Sequence, residues 1–197
     1  MTSQCSIPTL DRINALPDTI IYHILSFLST KESAATSILS KRWKPLWLSV
    51  PTLAFDERNF TNFNTFRLFV YSVMLARDPI LPIRSFRLKS RGIASGFNPH
   101  DVNRFMNAAV QRRIQNLNLD MTPLVKLLTC VFSCSNLIVL KLKSLKIQDL
   151  PDVNFPLLKT LHLDSITFLP FGVDRFLKRL CSGCPILAAK NELNMNF

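Results

Sequence analysis

Apolar residues over the first fifty positions recur at helical spacing on more than one face. Ile20, Ile24 and Leu28 stand four apart, and Ile21 and Leu25 form a second row beside them, so the spacing predicts an amphipathic helix with a broad apolar stripe. Pro17 and Asp18 suit its first turn, where a missing amide is harmless and an acidic side chain meets the positive end of the helix dipole. Ser29-Thr30-Lys31-Glu32 fits a capping box and predicts a second helix start, with Ala34, Ala35, Ile38 and Leu39 continuing an apolar face. Trp43, Leu46 and Trp47 predict a third helix. Pro45 is compatible with it if the helix begins near Arg42, because first-turn amides have no partner within the helix. Three helices in so short a stretch cannot bury this much apolar surface, so a docking face is expected.

Beyond Asp56 the pattern changes. Phe60, Phe63, Phe66 and Phe69, extended by Val70, Val73 and Arg77, predict a helix ended by Asp78-Pro79, with the phenylalanines in a core. From Ile83 a shorter period takes over. Ile83/Phe86/Leu88, Ile114/Leu117/Leu119, Leu137/Leu140/Leu142 and Leu158/Leu161/Leu163 share the spacing L-x-x-L-x-L of a leucine-rich repeat, and the last two units continue through Leu145 and Ile147 and through Ile166 and Phe168. Helices are predicted between these strands: Val102, Phe105, Met106, Ala109 and Val110 after Asn98-Pro99; Leu124, Leu127, Leu128 and Val131 after Thr122-Pro123; Val173, Phe176, Leu177 and Leu180 after Gly172. After Leu187 the spacing fails, and an irregular tail is expected over 188–197. A solenoid open at that end leaves a sheet edge bare, as in a short, truncated or fragmentary product.

Composition narrows the function classes. Of 197 residues, 48% are hydrophobic, which fits a packed protein. No charge-free apolar run reaches the length of a membrane span, and the first residues lack a basic-then-apolar secretory pattern, so an intracellular protein of cytoplasm or nucleus, without a membrane partner, is expected. The net charge of +11 raises nucleic acid as a partner. The basic residues are dispersed, however, and a protein partner is preferred. Four glycines form neither a dinucleotide-binding nor a P-loop motif. His23, His100 and His162 lack metal-ligand spacing, and no catalytic residue, cofactor or metal is assigned. Cys130 with Cys134 and Cys181 with Cys184 raise a zinc site. Cys134 and Cys184 instead precede apolar runs, as buried small hydrophobes do.

The stretch from about Asp11 to Asp56 resembles an F-box. Leu-Pro-Asp, Ile-Leu-Ser-Phe-Leu, Ala-Thr-Ser-Ile-Leu-Ser-Lys-Arg-Trp and Leu-Trp-Leu-Ser-Val-Pro are similar to the plant F-box proteins that also carry leucine-rich repeats, as are Leu-Lys-Thr-Leu-His-Leu-Asp and Leu-Cys-Ser-Gly-Cys-Pro-Ile-Leu further on. The resemblance implies an α+β or α/β repeat fold. An F-box of three helices (8–56) would lead through a linking helix (57–79) into an incomplete leucine-rich-repeat solenoid of alternating short parallel strands and helices (80–187). Members of the family usually run on to a further C-terminal domain, and this chain is expected to be a short form lacking it.

The resemblance also implies a function, that of substrate-recognition subunit of a Skp–cullin–F-box ubiquitin ligase. The F-box would bind a Skp-type adaptor, and through it a cullin, while the repeats select an unidentified protein substrate. Alternatives are a basic nucleic-acid-binding protein, or an F-box protein that binds Skp without forming a ligase. Carried over by position, the adaptor contacts are Leu16, Pro17, Ile20, Ile24, Leu25, Leu28, Ile38, Ser40, Arg42, Trp43, Leu46 and Trp47, some of which must hold the helices together. The two tryptophans together are expected to have a mixed role, with one ring edge in the local core and the rest at an interface. On the concave face of the repeats, Arg84, Arg87, Lys89, Asn116, Asn118, Asp120, Val139, Lys141, Lys143, Lys159 and His162 would read an acidic protein ligand.

Overall fold

The computed structural model describes residues 13, 15–90, 97, 99–122, 129–147, 152–168, 172–186 and 193–196. The chain divides after Val50 into two compact units.

The first unit is helical. α1 (Asp18–Ser26) starts from Pro17, whose carbonyl accepts from the amides of Ile20 and Ile21. α2 (Thr30–Ala35) opens with the capping box read from the sequence: the Ser29 amide donates to Glu32 Oε2 at 2.8 Å and the Glu32 amide to Ser29 Oγ at 3.3 Å. These hydrogen bonds hold the Glu32 carboxyl below its usual range, the Ser29 side chain having the largest effect. A 3-10 turn (Thr36–Ile38) follows. α3 (Trp43–Ser49) then places Pro45 in its first turn, where the missing amide is tolerated. Ile21, Leu25, Trp43, Leu46 and Val50 form the core, with Leu16, Tyr22, Leu28 and Trp47 packed around it. Ser33 Oγ donates to the Leu25 carbonyl at 3.2 Å, tying α2 to α1.

The second unit alternates strands with helices or turns. β1 (Thr52–Asp56) is followed by α4 (Phe63–Ala76), β2 (Ser85–Lys89), α5 (Pro99–Gln111) and β3 (Asn116–Asp120). After a 3-10 turn at Thr129–Ser133 come β4 (Val139–Lys143), β5 (Lys146–Ile147), β6 (Thr160–Asp164), β7 (Thr167–Phe168), α6 (Gly172–Gly183) and β8 (Leu193–Asn196). The main sheet has the order β1-β2-β3-β4-β6-β8 with every pairing parallel, and β5 pairs with β7.

Register explains the period. Leu53, Phe86, Leu117, Leu140 and Leu161 lie side by side in one buried row, and Phe55, Leu88, Leu119, Leu142 and Leu163 in the next. Alternate strand residues face one side, so each L-x-L places both leucines in the core. The leading residues Ile83, Ile114, Leu137 and Leu158 are buried as well. Each turn into a strand repeats one motif, in which two successive amides share a carbonyl of the preceding turn: Gln115 and Asn116 donate to Arg84 O, Ile138 and Val139 to Gln115 O, Lys159 and Thr160 to Ile138 O. Ser144 and Ser165 take φ of 53° and 54° at equivalent places, turning the chain from β4 and β6 into β5 and β7.

Of Phe60, Phe63, Phe66 and Phe69, Phe66 takes the core position and the other three are half-buried. Phe66 is fully buried, and Phe97 packs edge-on against Phe63, Phe66 and Phe105 at centroid distances of 5.2, 5.5 and 5.9 Å. Arg77, just past α4, is buried too. Its Nη2 donates to the Pro82 carbonyl at 2.9 Å, and burial, reinforced by Arg112, pushes its pKa down to about 10.

Three expectations are corrected. Residues 52–56 belong to the sheet as β1 and not to the helical unit, since Leu53 and Phe55 continue the buried rows of β2. The helix expected to link the two regions lies inside the second unit. Within the expected irregular tail, Leu193–Asn196 pair with β6, Leu193 in register with Leu161 and Met195 with Leu163. Residues 123–128, which hold most of the helix expected after Thr122, lie outside the described residues.

Candidate functional site

Two surfaces carry the candidate residues. On the helical unit, core formation uses the Ile21/Leu25 row of α1 and draws in Leu28 from the other row, leaving that row's Ile20 and Ile24 outside. Ile20 and Ile24 stay exposed, and Phe27, 75% exposed, extends them at three-residue spacing along the same face. The His23 ring meets Phe27 edge-on at 4.9 Å. Ile38, 86% exposed, and Leu39 project from the 3-10 turn. Arg42 pairs with Asp18 and donates from Nη2 to the Leu16 carbonyl at 2.6 Å, which fixes the start of α1 against the start of α3.

The twelve candidate adaptor contacts therefore separate. Ile20, Ile24 and Ile38 are exposed apolar side chains, Pro17 is exposed at the start of α1, and Leu16, Leu28, Ser40, Arg42 and Trp47 are half-buried. Leu25, Trp43 and Leu46 lie in the core, where their role is to hold α1 to α3; a contact made directly by these three is corrected on that ground. The tryptophans differ in burial, Trp43 being 3% exposed and Trp47 half-buried. Phe27 and Leu39 were not among the candidates. Phe27 was detectable, because it continues the Ile20/Ile24 row by a further turn.

On the sheet, the positions between the buried leucines face solvent. Ala54, Arg87, Asn118, Lys141 and His162 make one row, and Asp56, Lys89, Asp120, Lys143 and Asp164 the next. In the second row acids and bases alternate. Lys143 is ion-paired with Asp164. Arg58 grips Asp56 twice, from Nε to Oδ1 at 3.0 Å and from Nη2 to Oδ2 at 2.7 Å. The Arg58 hydrogen bond is the main reason that the Asp56 carboxyl is held below its usual range, and Lys89 adds to it. At the carboxyl ends of β1 to β3 this row borders a cleft of about 590 Å³ that also takes in Phe60 and Asn62. Arg84 and Lys159 are exposed but stand one residue ahead of β2 and β6, outside both rows.

Cys134 and Cys184 are buried and Cys130 is half-buried. Burial pushes the Cys130 and Cys134 thiols up, away from the reactive thiolate. Among the described residues no group of three or more His, Cys, Asp or Glu is arranged to hold a metal, and no helix is long and apolar enough to cross a membrane.

Comparison with known proteins gives the class of the helical unit. Residues 13–54 match the F-box domain. An FBD-associated F-box protein of Arabidopsis thaliana is 35% identical over 184 residues, 90% of this chain and 43% of that protein. Two F-box/LRR-repeat proteins of the same plant are 37% and 34% identical over 186 and 188 residues, each alignment covering 90% of this chain and, in turn, 38% and 50% of the relative. No solved structure matches. The chain thus carries a match to the F-box domain over residues 13–54 and is similar over 90% of its length to these plant F-box/leucine-rich-repeat proteins, of which it spans half or less.

Proposed function

We propose that this chain is the substrate-recognition part of a Skp–cullin–F-box ubiquitin ligase. The F-box unit binds a Skp-type adaptor, which links it to a cullin, and the sheet unit, a partial leucine-rich-repeat solenoid, selects a protein substrate inside the cell. The observation that carries this is the apolar row Ile20, Ile24 and Phe27, with Ile38 and Leu39 nearby, left in water after the helical core is complete. Covering each such side chain contributes about 1.5–3 kcal/mol when burial is full, enough in combination for a stable complex. The parallel sheet adds an extended polar face of the kind that repeat proteins use for binding.

The chain itself contributes proximity, holding a substrate beside a charged ubiquitin carrier. The transfer chemistry belongs to other subunits. Co-expression followed by a pull-down scored for adaptor, cullin and a third protein tests the assignment. All three are expected with the natural chain, and the adaptor is expected to be lost when Leu16 and Pro17 are both replaced by alanine. Capture of adaptor without cullin would contradict the ligase role.

A further inference from the structure

The second row of the sheet is electrically closed. Each lysine, Lys89 and Lys143, stands between two aspartates on the adjoining strands, and the acid at the β1 end is held by Arg58. Adjoining strands lie about 4.8 Å apart, so these charges face one another at close range and largely cancel. The neighbouring row differs. Arg87 and Lys141 are exposed, two strands apart, and make no ion pair with any described residue, with Asn118 between them and His162 beyond. A depression of about 310 Å³ runs from Asn118, Lys141 and His162 to Asp120, Lys143 and Asp164.

We infer that the row Arg87, Asn118, Lys141 and His162 reads a short acidic segment of the substrate polypeptide, laid across β2 to β6 with its carboxylates on Arg87 and Lys141. This rests on the reading of the sheet as the substrate-selecting face. The spacing fits: the two cations are roughly 10 Å apart at their strands, and an extended peptide carries same-side residues every 7 Å or so, within reach of two long flexible side chains. Asn118 supplies both a donor and an acceptor for the peptide backbone between them.

The flanking row sets the class of ligand. A nucleic-acid strand brings a charge on every nucleotide, and the flanking row, whose acids and bases largely cancel, offers such a strand no further net positive charge beside Arg87 and Lys141. Base stacking also needs aromatic platforms, and the solvent-facing positions of β1 to β4 and β6 carry no phenylalanine, tyrosine or tryptophan. A peptide with two or three carboxylates occupies the cationic row alone.

Fluorescence anisotropy with the full chain tests this. The probes are a labelled peptide with Asp-Ser-Asp-Ser-Asp at its centre, the same peptide with Asn for Asp, and a short oligothymidylate. The acidic peptide is expected to bind, and both the Asn peptide and the Arg87→Ser/Lys141→Ser chain to weaken binding at least about ten-fold. Lys143→Ser/Asp164→Ser removes one ion pair and leaves the net charge of the flanking row unchanged, so it is expected to change binding less than about three-fold. Equal binding of the Asn peptide, tighter binding of the oligothymidylate, a loss in Lys143→Ser/Asp164→Ser as large as that in Arg87→Ser/Lys141→Ser, or no binding at all would each overturn the inference. Adaptor capture is measured on the same preparations. A chain that captures adaptor but ignores the peptide overturns only the inference, and one that binds the peptide through Arg87 and Lys141 but refuses the adaptor overturns only the proposed function.

Discussion

Replacing Trp43 by alanine is expected to unfold the helical unit, whereas the same change at Trp47 leaves it folded. Trp43 lies in the cluster formed with Ile21, Leu25, Leu46 and Val50, and 3% of its surface is exposed. Truncating a buried tryptophan costs about 3–5 kcal/mol through lost transfer energy and the cavity left behind. A unit of some fifty residues has little stability in reserve. Trp47 only packs against the edge of this core, and about 1–2 kcal/mol is expected there. Urea denaturation followed by the fluorescence of the remaining indole measures both. Equal costs at the two positions would show that core and surface have been divided wrongly.

Gly183→Ala is expected to destabilise the sheet unit by about 2–4 kcal/mol, an unusually large effect for adding a methyl group. The reason is a backbone contact. A Cβ at Gly183 would lie 2.0 Å from the Val153 carbonyl oxygen and 2.7 Å from its carbon. The same glycine's carbonyl accepts from the Phe155 amide at 2.8 Å, so the end of α6 and the segment leading to β6 cannot separate without losing that bond. Gly172→Ala is the control. There the nearest atom is the Phe168 Cβ at 3.3 Å, a contact relieved by a shift of a few tenths of an ångström, and the change is expected to stay within about 1 kcal/mol. Thermal unfolding of the two variants checks the contrast, and similar shifts would contradict it.

Gly183 also explains one of the words that carried the family resemblance, since Ser-Gly-Cys-Pro places a residue without a side chain against backbone and buries Cys184 beside it. Other features were legible for equally local reasons. The capping box at Ser29 and Glu32 lies within four residues, and the L-x-x-L-x-L spacing fixes both which strand residues are buried and how the strands align. What escaped notice depended on distant partners. Leu53 and Phe55 form too short an alternation to stand out until β2 lies beside them, and the family's F-box wording drew the boundary past them. β8 keeps Leu193 and Met195 of the repeat, but Lys190 stands where the leading apolar residue belongs, so the L-x-x-L-x-L spacing is incomplete there until pairing with β6 reveals the strand.

The site residues show the same division. Helical spacing identified two apolar rows on α1 but not which of them faces the core, and the choice of Ile21 and Leu25 is made by Trp43 and Leu46 from α3. The lysines of the sheet looked like a single basic face. Only cross-strand register reveals that Lys89 and Lys143 sit between aspartates while Arg87 and Lys141 do not.

The apolar row on α1 is the feature on which the functional reading depends, and calorimetric titration of a purified Skp-type adaptor with the chain tests it most directly. A one-to-one complex is predicted, weakened at least about thirty-fold by Ile20→Ser/Ile24→Ser, since two half-exposed isoleucines contribute roughly 1 kcal/mol each when covered. Their exposure means that the variant should melt as the natural chain does. An unaltered affinity in that folded variant, or a natural chain that gives no heat with the adaptor, would contradict the account.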